Sequence, residues 1–166
     1  EDEKTLLQEI CRIICEDAGY RMAWVGYAEN DDAKSIRPIA WAGHEAGFLT
    51  DTERSWSEKT ESGRGPAGRA IRTGDIVHIQ SYSAEGEQAP FYKAATMRGF
   101  HSAIVIPLKE ESNSVFGALF IYSEEIDAFT PGEIKLLKDL AHDLAFGVRN
   151  LRARREKKEN FEKMEK

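Results

Sequence analysis

The chain lacks the usual means of being stapled shut or held in a lipid bilayer. No apolar run approaches the ~20 residues needed to span a membrane, and no signal-peptide pattern is present. The only two cysteines in 166 residues, Cys11 and Cys15, sit four apart in a helical pattern and so share one face. A disulfide within a regular helical turn has poor Cβ geometry, and no His or Cys follows until His44 to complete a metal site. Both thiols are therefore expected to pack as small core residues in a reducing, cytosolic compartment, with no metal bound. The formal net charge is -6 and unevenly placed: Arg152–Lys166 is net +3, leaving -9 on the body. An acidic body argues against nucleic acid as the main partner. No Ser-His-Asp constellation is legible, and the Gly63–Gly68 cluster lacks the Lys-Ser/Thr pair of a phosphate-binding loop. The chain opens at Glu1 without a methionine, which predicts a piece of a longer protein.

What the chain does have is a core of ordinary size for a single domain, with 41% apolar and 31% charged residues. Its most informative stretch is Gly99–Ser123. Ser102–Leu108 and Val115–Tyr122 are apolar almost throughout, and the Lys109–Ser114 connection is charged and rich in Ser and Asn. That reads as a hairpin. A hairpin with one wet face would alternate apolar and polar residues; neither strand does, so both faces are expected to be covered, and by helices.

The remaining elements supply those covers. Thr5–Asp17 carries a broad helical stripe stopped at Gly19. Met22–Ala28 reads as a buried strand, and Ile36–Trp41 as an edge strand because Pro38 cannot donate to a ladder. His44–Ser62 is polar with apolar anchors at Phe48, Leu49 and Trp56, and is assigned a helix. Pro66 just inside a start and Gly74 just past an end mark a short helix, followed by a strand over Asp75–Ile79. Ser81–Gln88 is expected to be loop, and Ala89–Arg98 a short helix ending at Gly99. Thr130-Pro131-Gly132-Glu133 has the residues of a capping box. The helix that it opens carries a seam at Leu137, Ala141, Leu144, Val148 and Leu151, and would project beyond the body if helical to Glu159. The seam has more apolar width than one neighbour needs, which predicts dimerisation.

Three segments in this order resemble the GAF family of sensory domains. They are GRGPAGRAIRTGDIVHI (Gly63–Ile79), GFHSAIVIPL (Gly99–Leu108) and FGALFIYSEEIDAFTPGEIKLL (Phe116–Leu137), and the likeness runs to about Arg149. MAWVGYAEND (Met22–Asp31) looks most like the GAF units of multidomain PAS-containing sensor proteins. The resemblance implies an α+β fold: a central antiparallel sheet of five or six strands, the N- and C-terminal helices on one face, and short helices and loops over a ligand pocket on the other. It implies a sensory domain over residues 1–150 and a charged helical linker over 151–166, leading to an output domain such as a histidine kinase or diguanylate cyclase. The implied partners are a small molecule, a second copy and that output domain, with no nucleic acid and no direct membrane contact.

Departures from the family's patterns narrow the ligand. Bilin-binding relatives carry a Cys-His pair where this chain has Pro90-Phe91, which disfavours covalent bilin. Cyclic-nucleotide-binding relatives carry Asn-Lys where Tyr122-Ser123 stands; Phe129 is kept, but the acidic pair becomes Glu133-Ile134. Haem would need a histidine in a closed apolar cavity, and the four histidines fall at strand ends, in a loop and on the exit helix. The resemblance thus names no cofactor. Some GAF domains reduce free methionine sulfoxide, but both cysteines lie on the first helix, away from the expected pocket, so no catalytic residue is assigned. The candidate pocket residues are Trp41, Trp56, Phe91, Tyr92, Met97, His101 and Tyr122, with Arg64 and Arg69 as candidate anion contacts. The expected function is a non-catalytic sensory module; the alternative is a ligand-free structural dimerisation module, and the third reading is a free methionine sulfoxide reductase.

Overall fold

The two runs that are apolar on both faces lie side by side at the centre of a sheet. β5 (Val115–Ser123) pairs antiparallel with β4 (Ser102–Lys109) on one side and with β1 (Met22–Ala28) on the other. β2 (Ile36–Gly43) and β3 (Val77–Ile79) close the edges, giving the order β2-β1-β5-β4-β3. The computed structural model describes residues 2–51, 53–85 and 90–165, the side chains of 51, 90 and 91 excepted. Pro38 falls on edge strand β2, where a bulge opposite Val25 and Gly26 absorbs it.

Alternation along the strands sorts the apolar side chains into two cores. Ala23, Val25, Ile104, Ile106, Leu119 and Ile121 point to one face, where they meet Leu7, Cys11 and Ile14 of α1 (Glu3–Glu16) and Leu137, Leu144 and Val148 of α6 (Pro131–Met164). Met22, Trp24, Ala103, Val105, Phe120 and Tyr122 point to the other. That second face is roofed by α2 (Phe48–Asp51), a 3-10 turn (Ser62–Arg64), α3 (Pro66–Thr73), α4 (Tyr82–Glu85) and α5 (Pro90–Met97). α3 follows the terminus logic of its sequence: Pro66 opens it and Gly74 caps it in the left-handed region, φ 75°. It lies against the 3-10 turn so closely that a Cβ on Gly68 would stand 1.8 Å from the Gly63 carbonyl oxygen.

Three local expectations are corrected. The helix expected over His44–Ser62 is a single turn, Phe48–Asp51, followed by a loop and the 3-10 turn. Glu45 takes the amides of Gly47 and Leu49 with its carboxylate, and Ser55 and Trp56 pair with Ser35 and Lys34 instead of with their own helix. The loop expected over Ser81–Gln88 contains the turn α4, and its residues 86–88 lie outside the described ones. The capping box at the start of α6 is half used. Thr130 accepts from the Glu133 amide at 3.3 Å, but the Glu133 carboxylate accepts from the Tyr20 hydroxyl instead of turning back to Thr130. The exchange ties the start of α6 to the segment after α1.

α6 runs unbroken for 34 residues, about 51 Å at 1.5 Å per residue. Leu137, Ala141, Leu144 and Val148 of the expected seam are buried inside the chain's own core, and Leu151 is half-buried where the helix leaves the body. The apolar side chains that α6 still shows to solvent are others: Leu136, Phe146, Phe161 and Met164.

A roofed cavity as candidate functional site

Beneath the roof the second face keeps a cavity of about 60 Å³. Val77 and Ile79 of β3, Ala103 and Val105 of β4, and Phe120 and Tyr122 of β5 form its floor. Phe48, Pro66, Ala67, Tyr82 and Tyr92 close it from above, and Glu53, Arg54 and Ser55 enter from the loop after α2. Short strand β3 widens the floor because both residues flanking His78 point inward; His78 itself is exposed.

An aromatic cluster sets the shape of the floor. Trp24 stacks on Phe120 with ring centroids 3.9 Å apart, and its indole N–H donates to the Tyr122 hydroxyl at 3.1 Å. Phe100 stacks on Tyr122 at 4.7 Å, and Phe48 meets both edge-on at 5.3 and 5.4 Å. Such pairs contribute about 0.5–1.5 kcal/mol each beyond their burial. Tyr82 meets Tyr92 edge-on at 5.3 Å.

Two guanidinium groups approach this setting, and that of Arg98 lies 5.6 Å from the Phe48 ring centre. The Arg54 guanidinium lies 4.5 Å from the Phe48 ring centre and 5.0 Å from that of Trp24. It donates to the carbonyls of Phe48 at 3.1 Å and Leu49 at 3.4 Å. Desolvation by the surrounding rings lowers its pKa, and the nearby Tyr122 and Tyr82 oxygens act in the opposite direction. Burial pushes the phenols of Tyr82 and Tyr122 up, so both stay protonated and able to donate through the physiological range.

Of the candidate pocket residues, the structure brings Tyr92 and Tyr122 to the cavity wall. Trp56 packs beside it, half-buried, its indole N–H on the Glu29 carbonyl at 2.9 Å and its ring under the Lys34 ammonium. Trp41 is opposite Trp24 on the edge strand and is 45% exposed, beyond the roof's reach. Met97, at the end of α5, is 74% exposed. His101 is exposed just before β4, its backbone holding Ser123 and Tyr82. The Phe91 side chain lies outside the described ones. Arg64 and Arg69 are exposed and do not line the cavity; Arg64 donates to the Glu58 carbonyl. Phe48, Arg54 and Tyr82 are among the cavity residues missed from the sequence. Tyr82, three residues after the end of strand β3, was a usable signal; Arg54, in a polar stretch, offered none.

The thiols stand on the other side of the sheet. Cys11 is fully buried in the helix-side core, and burial pushes its thiol up to about 12; Cys15 is pushed up to about 11 for the same reason. Neither is a thiolate at neutral pH, and neither lines the cavity. Among the described residues, no cluster of three or more His, Cys, Asp and Glu could hold a metal ion.

A sheet clad on one face by its terminal helices and roofed on the other over a small apolar cavity defines a class of α+β sensory-type domains. Residues 1–149 match the GAF domain family, and the chain belongs to it. Solved structures share the fold at low identity. Free methionine-R-sulfoxide reductase from Neisseria meningitidis is 20% identical with a TM-score of 0.73, over 92% of this chain and 81% of that one. The GAF domain region of a membrane protein from Geobacter sulfurreducens is 17% identical with a TM-score of 0.71, over 89% and 93%. A domain of a two-component sensor histidine kinase protein from Sinorhizobium meliloti is 16% identical with a TM-score of 0.69, over 95% and 98%. No curated protein is significantly similar to the chain. No helix among the described residues is long and apolar enough to cross a membrane.

Proposed function

We propose that this domain is a non-catalytic, cytoplasmic sensor: the roofed cavity takes a small molecule, and α6 carries the response to an output domain of the histidine kinase or diguanylate cyclase kind in the same parent chain. The observation that carries the reading is the junction of the two parts. α6 is packed on the sheet that floors the cavity, yet continues without a break through exposed residues 153–164. A change in the roof or floor that shifts the sheet's packing against α1 and α6 has a rigid lever to move. A ligand drives such a shift only through different affinities for two helix arrangements.

Residues 1–150 act here as the sensor and 151–166 as the linker. Pairing of two copies would use the outer surfaces of α1 and α6, where Leu136 and Phe146 are 66% and 61% exposed, because the Leu137–Val148 seam is already buried. The ligand-free dimerisation module is the second reading, favoured by the small size of the cavity. Reduction of methionine sulfoxide fits poorly with two high-pKa thiols on the far face.

Native mass spectrometry and an absorption spectrum of the purified protein test the sensor reading. A co-purifying mass, released on unfolding and accompanied by altered hydrogen exchange along residues 131–151 when removed, supports it. An empty protein whose α1 and α6 exchange is unmoved by any small molecule leaves the structural module.

A further inference from the structure

We propose, resting on the reading of the cavity as a ligand site, that its ligand is a small uncharged carbonyl compound with no donor of its own. This short-chain ketone or ester accepts from the hydroxyls of Tyr82 and Tyr122. Both phenols are buried in the cavity wall, 5% and 6% exposed. The Tyr122 oxygen accepts from the Trp24 indole N–H at 3.1 Å, while its own O–H has no acceptor among the described residues. The Tyr82 hydroxyl makes no hydrogen bond among them. No sealed side-chain nitrogen or oxygen lacks a partner, so the Tyr82 oxygen is open to space, and the space it lines is the cavity. Tyr122 is near enough to push the Tyr82 phenol up, yet the two hydroxyls do not bond each other. One acceptor between them takes both protons.

Charge and donor count narrow the acceptor. Arg54 is already engaged: it donates to the Phe48 and Leu49 carbonyls, lies against the rings of Phe48 and Trp24, and is stabilised by the Glu45 carboxylate. An anion would give up its hydration against Val77, Ile79, Val105 and Phe120 beside a cation that other groups hold. An uncharged acceptor avoids that cost. An alcohol brings a third proton into the site and an amide brings two more, and the inner wall has little to take them. The Tyr122 oxygen holds the indole, and the Ser55 hydroxyl donates to the Ala33 carbonyl and accepts from the Ser57 amide. A ligand O–H given to the Tyr82 oxygen would strand the Tyr82 proton. Glu53 is exposed and Ser62 half-buried, so both reach solvent. Size sets the chain. At roughly 10–15 Å³ per water-sized centre, 60 Å³ admits about four to six heavy atoms, the range from acetone to pentanone.

The test is titration of the 166-residue chain, isotope-labelled at its amides and at the tyrosine Cζ carbons, with 2-butanone, 1-butanol, butyramide and sodium butyrate at fixed ionic strength. It is read from amide shifts of residues 77–79, 103–105 and 118–122 and from the Cζ resonances of Tyr82 and Tyr122. The expected result is saturable binding of 2-butanone, roughly tenfold tighter than of the other three, with both Cζ resonances moved. Tyr82→Phe removes one hydroxyl that bonds nothing else within the chain. It is expected to weaken 2-butanone roughly three- to tenfold with the melting temperature of the free protein unchanged. Amide shifts with both Cζ resonances still overturn the phenol contacts, and that reading of the unaltered protein decides the matter should the variant prove unstable. Equal binding of 1-butanol or butyramide overturns the donor count, and preference for butyrate overturns the uncharged ligand; either leaves the sensor reading standing. Silence from all four probes overturns the carbonyl compound and counts against the cavity as a ligand site at all.

Discussion

Arg152 sits where α6 leaves the body, and replacing it with alanine tests how the lever is clamped. Its guanidinium grips the Glu3 carboxylate through two hydrogen bonds, 2.9 and 3.1 Å, and reaches Glu110 at 3.5 Å. It also covers the rings of Tyr27 at 5.2 Å and Phe116 at 4.8 Å, and Tyr27 donates its own hydroxyl to Glu3. Exposed ion pairs contribute at most about 1 kcal/mol, while breaking a buried pair costs about 3–5 kcal/mol. The Arg152 and Glu3 side chains are 30% and 18% exposed, between those limits, so Arg152→Ala should cost about 2 kcal/mol. For a domain of this size that is a fall of roughly 4–8 °C in melting temperature. Thermal and urea unfolding followed by circular dichroism provide the assay, with Arg154→Ala, exposed two residues further on, as the control. A double-mutant cycle with Glu3→Gln should return a coupling of about 1 kcal/mol. The pH dependence carries a sign. Burial pushes the Glu3 carboxyl up, but hydrogen bonds from Arg152 and Tyr27 outweigh it and hold the carboxyl below its ordinary 4.5. A depressed carboxyl stabilises the fold above its unfolded value and loses that contribution as pH falls through the folded value, so the coupling should fade below 4.5. An Arg152→Ala loss within about 0.5 kcal/mol of the Arg154→Ala control would refute the clamp. So would a coupling undiminished near pH 3.

Other substitutions probe the sheet, the thiols and the start of α6. A Cβ on Gly117 would stand 2.4 Å from the Gly26 carbonyl oxygen, so Gly117→Ala should push β1 and β5 apart and cost about 2 kcal/mol or more in urea unfolding. Gly132 has nothing within 4 Å of an added Cβ, and Gly132→Ala at the start of a regular helix should stabilise the fold by about 0.5 kcal/mol in the same assay. With thiols pushed up to about 12 and about 11, Cys11 and Cys15 should resist a disulfide reagent in the native protein and react on unfolding. Stoichiometric labelling within seconds at neutral pH would contradict their burial.

Much of the architecture was legible in the chain because its signals are local and repeat. Unbroken apolar runs at Ser102–Leu108 and Val115–Tyr122 required cover on both faces, and the structure supplies it from α1 and α6 on one side and the roof on the other. Pro38 placed β2 at an edge, and Pro66 and Gly74 bounded α3, since each acts through its own backbone. The His44–Ser62 segment was misread because its apolar anchors mimic helical spacing, whereas Glu45, Ser55 and Trp56 found hydrogen-bond partners elsewhere. The α6 seam showed its period but not its partner: an apolar stripe has the same spacing whether it meets a second copy or its own sheet.

By itself, then, the order of residues determined the strands, the two-sided burial of the central hairpin and a continuous exit helix, because helix and strand periodicities and turn residues act over a few neighbours. Only the tertiary structure decided what the cavity is made of. Arg54 reaches the rings of Trp24 and Phe48 because a loop without regular structure folds back across the sheet. Trp41 and Met97 are left outside by the limits of that roof. Position relative to a cavity depends on contacts between residues far apart in sequence, and no local pattern encodes it.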